Sequence, residues 1–259
     1  MTKMKHIGSA LAIAAAALTT SQAALTAHWD FNTDGVVVDN VSTTAGTLLD
    51  GATVSGGNAN FVGGTSRIDT GINGGLGGTG SFTVLAFFQT SSATNQTIFD
   101  FSPTTGGVSG ADLRLFAQGN GNVRIEMSAG SGFEANLGGT SVVDGNTHMI
   151  AAVFNSSTGD SFQDVDLYVD GVLYDVTGGN DGLVNLGDAG KTVFLGSIGH
   201  LTSERPFVGS MGEVAIYDTA LTLTELDDVR VNGVAAVPEP SSAALLGLGG
   251  LAMILRRRK

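Results

Sequence analysis

Cysteine is absent from the 259 residues, which excludes disulfides, thiolate metal sites and cysteine nucleophiles together. Charged residues make up only 14% of the chain, and no apolar run reaches the ~20 residues of an ordinary membrane-spanning helix. The single tryptophan, Trp29, sits in an apolar strand context that predicts a core residue rather than an exposed sugar platform. What is plentiful is glycine, 39 residues, but it lacks the every-third-residue period of collagen. With 42% hydrophobic residues the chain has too much apolar material to stay unfolded. These bounds leave a folded globular body of one domain or two small ones.

Positive charge is scarce and concentrated at the ends. Lysine and arginine number 12 against 24 acids, a net charge of −12. Lys3, Lys5, Arg256, Arg257, Arg258 and Lys259 account for half of the cations, so residues 24–236 hold 23 acids against six bases, a net −17. Those six, Arg67, Arg114, Arg124, Lys191, Arg205 and Arg230, are scattered along the sequence. A nucleic-acid partner, which needs a basic patch, is therefore not expected. An acidic surface suits solubility outside the cell and contact with divalent cations.

Both termini read as targeting segments. A basic start, Met1 to His6, precedes the 12 apolar or small residues Ile7 to Leu18 and a polar break, with small side chains at Ser21 and Ala23. This is the pattern of a secretory signal peptide over residues 1–23, cut by signal peptidase between Ala23 and Ala24. At the other end Pro238-Glu239-Pro240 leads into the 13-residue apolar segment Ala243 to Leu255 and a stop of Arg256, Arg257, Arg258 and Lys259. Thirteen residues span a bilayer thinly, and the cations stay on the cytoplasmic side. In this order the three parts resemble the PEP-CTERM sorting tail of exported proteins of Gram-negative bacteria, over Val237 to Lys259. The resemblance implies that an exosortase cuts near Pro238 to Pro240. The short transmembrane helix would then anchor the protein in the inner membrane only transiently, leaving the body at the cell surface or in the extracellular matrix. The chain divides accordingly into a signal peptide (1–23), a body (24–233) and a sorting tail (234–259).

The body reads as all-β. Apolar runs of four to nine residues are separated by turn punctuation such as Gly56-Gly57, Gly106-Gly107 and Gly138-Gly139. Irregular spacing argues against a propeller or solenoid and for one sandwich. Asp170-Gly171 fits a two-residue type I′ turn that pairs Val169 with Val172, Leu167 with Tyr174 and Val165 with Val176, giving one apolar face. A second hairpin has a three-residue loop, Gly119 to Gly121, that pairs Ala117 with Val123, Leu115 with Ile125 and Leu113 with Met127. That register also sets Arg114 across from Glu126 on a solvent face. Ser81 to Phe88 and Met149 to Phe154, apolar on both faces, predict central strands. Thr222 to Glu225 is a capping box opening one short helix that stops at Asn232-Gly233.

The order of these pieces resembles the LamG-like jelly roll of the concanavalin A-like lectin/glucanase class. The resemblance rests on His28-Trp29-Asp30-Phe31, Gly80 to Val84, Asp144 to His148, Asp166 to Val172, and Phe207 to Tyr217 with the helix after it. It covers roughly Leu25 to Val231 and implies a jelly-roll sandwich with carbohydrate as the ligand class. The Asp-Glu pair common in the family before its last strand is Gly212-Glu213 here, which leaves a cation site using that Asp without its ligand.

Catalytic machinery is incomplete. Asp164-Val165-Asp166 is the nearest approach to the paired-carboxylate strand motif of glucanases on this fold, but Tyr168 or Val169 stands where the acid belongs. His28, His148 and His200 have no metal-ligand spacing, and the first two predict hydrogen-bonded structural roles. Gly209-Ser210-Met211-Gly212 is not a nucleophile elbow. Tyr168, with Leu173 across from it, is the candidate ligand platform, and the facing Asp166 and Asp175 are the candidate Ca²⁺ ligands. The reading is an exported, non-catalytic β-sandwich for binding or adhesion, with extracellular polysaccharide or another glycan as partner. A divergent glycoside hydrolase and a matrix protein without a specific ligand are the alternatives.

Overall fold

The structure, a computed structural model, describes residues 23–103, 112–127, 131–179, 181–187, 190–199 and 204–237. Expectations for residues 1–22, for His200, and for Pro238, Glu239, Pro240 and the stop Arg256 to Lys259 fall outside the described residues. Among the described residues two antiparallel sheets of eight strands each are stacked face to face. The first holds β1 (Leu25–Trp29), β3 (Thr53–Ser55), β4 (Asn58–Val62), β6 (Phe82–Gln89), β11 (Thr147–Phe154), β12 (Val165–Val169), β13 (Val172–Tyr174) and β16 (Val208–Tyr217). The second holds β2 (Thr47–Leu49), β5 (Arg67–Asp69), β7 (Gln96–Pro103), β8 (Leu113–Ala117), β9 (Val123–Met127), β10 (Ser131–Ala135), β14 (Val176–Thr177) and β15 (Lys191–Leu195). In the first sheet the order is β13-β12-β11-β6-β16-β4-β3, with β1 also paired to β16; in the second it is β14-β10-β9-β8-β7-β15-β5-β2.

Alternation along each strand builds the core between the sheets. Leu113, Leu115 and Ala117 of β8 and Val123, Ile125 and Met127 of β9 point inward against Val84, Ala86 and Phe88 of β6 and Ile150, Ala152 and Phe154 of β11. Trp29 belongs to this core and is fully buried, as its sequence context requires.

The central strands are apolar on both faces because the first sheet is covered outside as well. Leu85, Met149, Ala151, Val153, Tyr168, Ala215 and Tyr217 meet Leu226 and Val229 of the helix α1 (Leu223–Asn232), with Val234 and Val237 beyond it. The predicted capping box is formed: the Thr222 hydroxyl accepts from the Glu225 N–H, and the Glu225 carboxylate accepts from the Thr222 N–H at 2.7 Å. Gly233 at φ 84 ends the helix. Packing does not stop there. The Tyr217 hydroxyl donates to the Val234 carbonyl at 3.1 Å, the Val234 N–H donates to Glu213 at 2.9 Å, and Val237 is still buried. Val234 and Val237 thus pack against the body on the far side of the helix. Ala23, the last residue of the expected signal peptide, joins the same cluster, and Leu25 packs against it.

Both hairpin registers form, each with a difference. Asp170 and Gly171 take the positive φ values, 51° and 84°, that a type I′ turn needs. Val169 pairs with Val172 and Leu167 with Tyr174, but Val176 leaves for the second sheet, where it pairs with Ala135. Val165 pairs with Phe154 on its other side and not with Val176. The expected six-residue apolar face is thus cut short, and Val172 is half exposed. The β8–β9 pairing is as expected from Leu113↔Met127 to Ala117↔Val123. Arg114 and Glu126 do face one another, but on a buried surface instead of a solvent-exposed one.

His148 ties the start of β11 to two turns. Its Nδ1 lies 2.7 Å from Asp170, its Nε2 lies 2.9 Å from Asp144, and the other Asp170 oxygen accepts the Met149 N–H. Burial disfavours the imidazolium, yet the bonds to Asp170 and Asp144 outweigh it and raise the His148 pKa. Asp144 is correspondingly lowered to about 2, chiefly by its hydrogen bond to His148. A raised histidine contributes stability that is fully present below its unfolded pKa of ~6.5 and is lost as pH rises through the folded value. Melting temperature is expected to fall across that window, and His148→Asn is expected to flatten the fall. An unchanged slope in the variant would refute the assignment.

Candidate binding face on the second sheet

Three of the six body cations, Arg114, Arg124 and Arg205, spread over more than ninety residues of sequence, meet on the outer face of the second sheet, while Lys191 shares its face of β15 with the core residues Val193 and Leu195. Alternation places Arg114, Phe116, Arg124 and Glu126 outward together, with Arg114 opposite Glu126 and Phe116 opposite Arg124. On the other side of β8, Asp100 pairs with Arg114, and Lys191 enters from β15. Arg205 arrives from the segment before β16, 79 residues from the Glu126 it contacts.

These groups form two layers. The deeper one is structural. Asp100 and Asp112 are buried with Arg114 between them, its Nε 2.8 Å from Asp100 and its Nη2 2.8 Å from Asp112. Lys191 stands 3.5 Å from Asp112 and donates to the Leu186 carbonyl. Asp100 also accepts from the Ser102 hydroxyl and the Gly199 N–H. Burial is the largest influence on Asp100 and lifts its pKa; Arg114 and these hydrogen bonds act against that lift without cancelling it.

The outer layer is open. Arg205 Nη1 lies 2.8 Å and Arg124 Nε 3.1 Å from the same oxygen of Glu126, and both arginine side chains are about a third exposed, at 36% and 31%. The Arg205 guanidinium sits 4.6 Å from the Phe116 ring centroid, a cation–π contact. Arg205 holds a left-handed backbone, φ 50, fixed by the Thr97 N–H on its carbonyl at 2.7 Å. Arg124 lies across Gly132, where a Cβ would come within 2.2 Å of its guanidinium, so glycine at 132 is what lets this side chain lie flat.

Asn95, Phe116, Gln118, Arg124 and Arg205 enclose a notch of about 30 Å³. That is room for about one water molecule or one polar ligand group. Glu134 beside it accepts from Gln118, Asn120 and Asn122, and these amides outweigh burial and hold its carboxyl below the usual range. Guanidinium groups are donors only, so the notch is suited to an acceptor oxygen carried by a ligand.

The sequence-predicted residues lie elsewhere. Tyr168 is 7% exposed, its ring taken into the cluster beneath α1, and it offers no platform; Leu173 opposite it is 45% exposed. Asp166 and Asp175 stay on the exposed side of the β12–β13 hairpin. Burial, then the charges of Asp164 and Asp175, push the Asp166 pKa up. Among the described residues no three His, Asp or Glu side chains are grouped to hold a metal ion. Asp164 caps a 3-10 turn, accepting from Asp160 and Ser161. His28 is buried at 3.5 Å from Glu213. The Phe116–Arg124 half of the notch follows from the β8–β9 register and was within reach of the sequence. Arg205 was not, because only the packed fold brings it there.

A family model described as the concanavalin A-like lectin/glucanases superfamily matches residues 62–227, and one for the PEP-CTERM protein-sorting motif matches residues 236–259. No curated protein sequence matches the chain. Among solved structures, domain 4 of AbnA, an extracellular arabinanase from Geobacillus stearothermophilus in complex with arabinotriose, is similar at 20% identity and TM-score 0.62. The match covers 81% of this chain and 99% of that one. The CBM40 of Ruminococcus gnavus IT-sialidase bound to α2,3-sialyllactose is similar at 17% identity and TM-score 0.54, over 67% and 96% of the two chains. Trypanosoma rangeli sialidase matches at 13% identity and TM-score 0.60 over 83% of this chain but only 34% of its own. At these identities the likeness is one of fold.

Proposed function

The chain belongs to the concanavalin A-like lectin/glucanases superfamily and carries a PEP-CTERM sorting motif, and on that footing we propose that it is an exported, non-catalytic glycan-binding protein. The observation that carries this reading is the donor-lined notch, where Arg205, held over Phe116 by a left-handed backbone, meets Arg124. It suits a saccharide presenting a carboxylate, because two guanidinium groups supply N–H donors and Phe116 supplies apolar surface beneath them. The sandwich relatives solved with arabinotriose and sialyllactose make a saccharide the natural ligand class.

Absence of catalysis is part of the proposal. The Asp164 carboxylate is occupied by its cap, Asp166 stands on an exposed strand, and neither lines the notch. A retaining glycosidase needs two carboxyl groups ~5 to 5.5 Å apart across a substrate cleft. Processing near Pro238 to Pro240 by an exosortase would cut beyond Val237, which is buried against the body.

Arg205→Ala is expected to weaken binding of carboxylate-bearing glycans at least tenfold on an array of acidic and neutral oligosaccharides, with little change in melting temperature. Retention of full binding by the variant, or no binding of any acidic glycan by the native protein, would overturn the reading.

A further inference from the structure

The opposite outer face has a larger opening. Beside α1, the end of β1, the middle of β6 and a bulge in β16 surround a cavity of about 360 Å³ lined by Asp30, Asn32, Phe87, Gly212, Glu213 and Arg230, among others. The bulge, a register shift between Met211 and Val214 against β6, sets Glu213 at the cavity wall. That volume lies at the small end of ligand pockets, the scale of one or two sugar residues.

Its chemistry is opposite to that of the notch. His28, whose Nε2 lies 3.5 Å away, and the hydrogen bond from the Val234 N–H hold Glu213 below the usual carboxylate range against its burial. Asp30 is likewise lowered, its partial burial outweighed by the Asn32 N–H and amide. Arg230 adds no free charge to the wall, since Asp227 takes its guanidinium at 2.7 and 3.0 Å. Ionised carboxylates only accept hydrogen bonds, and at close range they repel anions. Two carboxylates beside an aromatic side chain, Phe87, match a ring with hydroxyl donors at its edge and an apolar face.

The opening is not forced by the backbone. Gly212 has no positive φ, and a Cβ there would meet Phe87 Cβ at 3.5 Å and Asn58 Oδ1 at 3.9 Å, which is ordinary contact. The fold would accept a side chain at 212; glycine leaves the space beside Phe87 empty.

We propose that this cavity is a second saccharide subsite, taking an uncharged, hydroxyl-rich sugar, and that the protein bridges two polysaccharide chains from its two outer faces. The two sites lie on opposite sides of the sandwich, so one ligand chain cannot occupy both without wrapping around an edge. Bridging rests on the glycan-binding reading of the notch, whereas the cavity's own specificity does not.

The exported protein, its Gly212→Val and Asp30→Asn variants and its Arg205→Ala variant would be compared on one array of neutral and acidic oligosaccharides. Agglutination would then be measured with beads bearing the best neutral and the best acidic glycan. Gly212→Val is expected to lose neutral-glycan binding at least tenfold while keeping the acidic signals, and Asp30→Asn to weaken the neutral signals severalfold. Arg205→Ala is expected to do the reverse, and each variant to abolish bead cross-linking. Neutral binding untouched in both cavity variants, or a native protein that binds no neutral glycan, overturns the subsite. Intact neutral binding with acidic binding absent in the native protein overturns the notch instead. Should Gly212→Val lower the melting temperature by more than a few degrees, Asp30→Asn alone decides.

Discussion

Arg114→Ala is expected to destabilise the protein by about 3 to 5 kcal/mol, the scale for breaking a buried ion pair by removing one partner. Asp100 and Asp112 are buried and Arg114 contacts both, so its loss leaves two carboxylates facing each other with only Lys191, 3.5 Å from Asp112, as counter-charge. Burial already lifts the Asp100 pKa against the pull of Arg114, and without the guanidinium the lift grows. A carboxyl raised above its unfolded pKa gains stability from protonation, so the variant's deficit is expected to shrink as pH falls. Urea unfolding of native and variant protein at pH 7 and pH 5 measures both effects. A deficit below 1 kcal/mol at pH 7, or one that widens at pH 5, would contradict the buried network.

Tyr168→Ala is expected to cost about 3 kcal/mol, near the lower end for emptying a buried aromatic site. The ring packs with Leu226 and Val229 of α1 and with Val153 across the sheet, so its removal opens a cavity under the helix. Tyr168→Phe should be close to neutral, because the residues clustered around the ring are apolar and the change keeps the ring. Glycan binding at the notch should survive in both variants whenever they fold. Thermal unfolding with the array readout separates this from a ligand-platform role, in which stability would hold and binding would fail.

Some assignments were readable before any fold. The β8–β9 register followed from burying Val123, Ile125 and Met127 together, since a slip of one residue would have turned charges into the core. The Asp170-Gly171 turn followed from its need for two positive φ angles. Tyr168 was misread because the hairpin shows only that the ring leaves the core side of β12. Whether solvent or α1 lies on that other side depends on residues nearly sixty positions later.

What the sequence determined by itself is local: alternation, turns, the capping box, the sorting tail and a domain poor in cations. Each of these is set by neighbours within a few residues, through dihedral preference or hydrophobic period. The tertiary structure decided where the cations go. Lys191 and Arg205 lie far along the chain from the Arg114–Arg124 hairpin, and their arrival beside it depends on the strand order β9-β8-β7-β15 and on the chain before β16 returning across that sheet. The same packing buried Tyr168, shortened the apolar face of the β12–β13 hairpin and opened the cavity at Gly212, because burial is a property of the layers brought together and not of the strand that carries the residue.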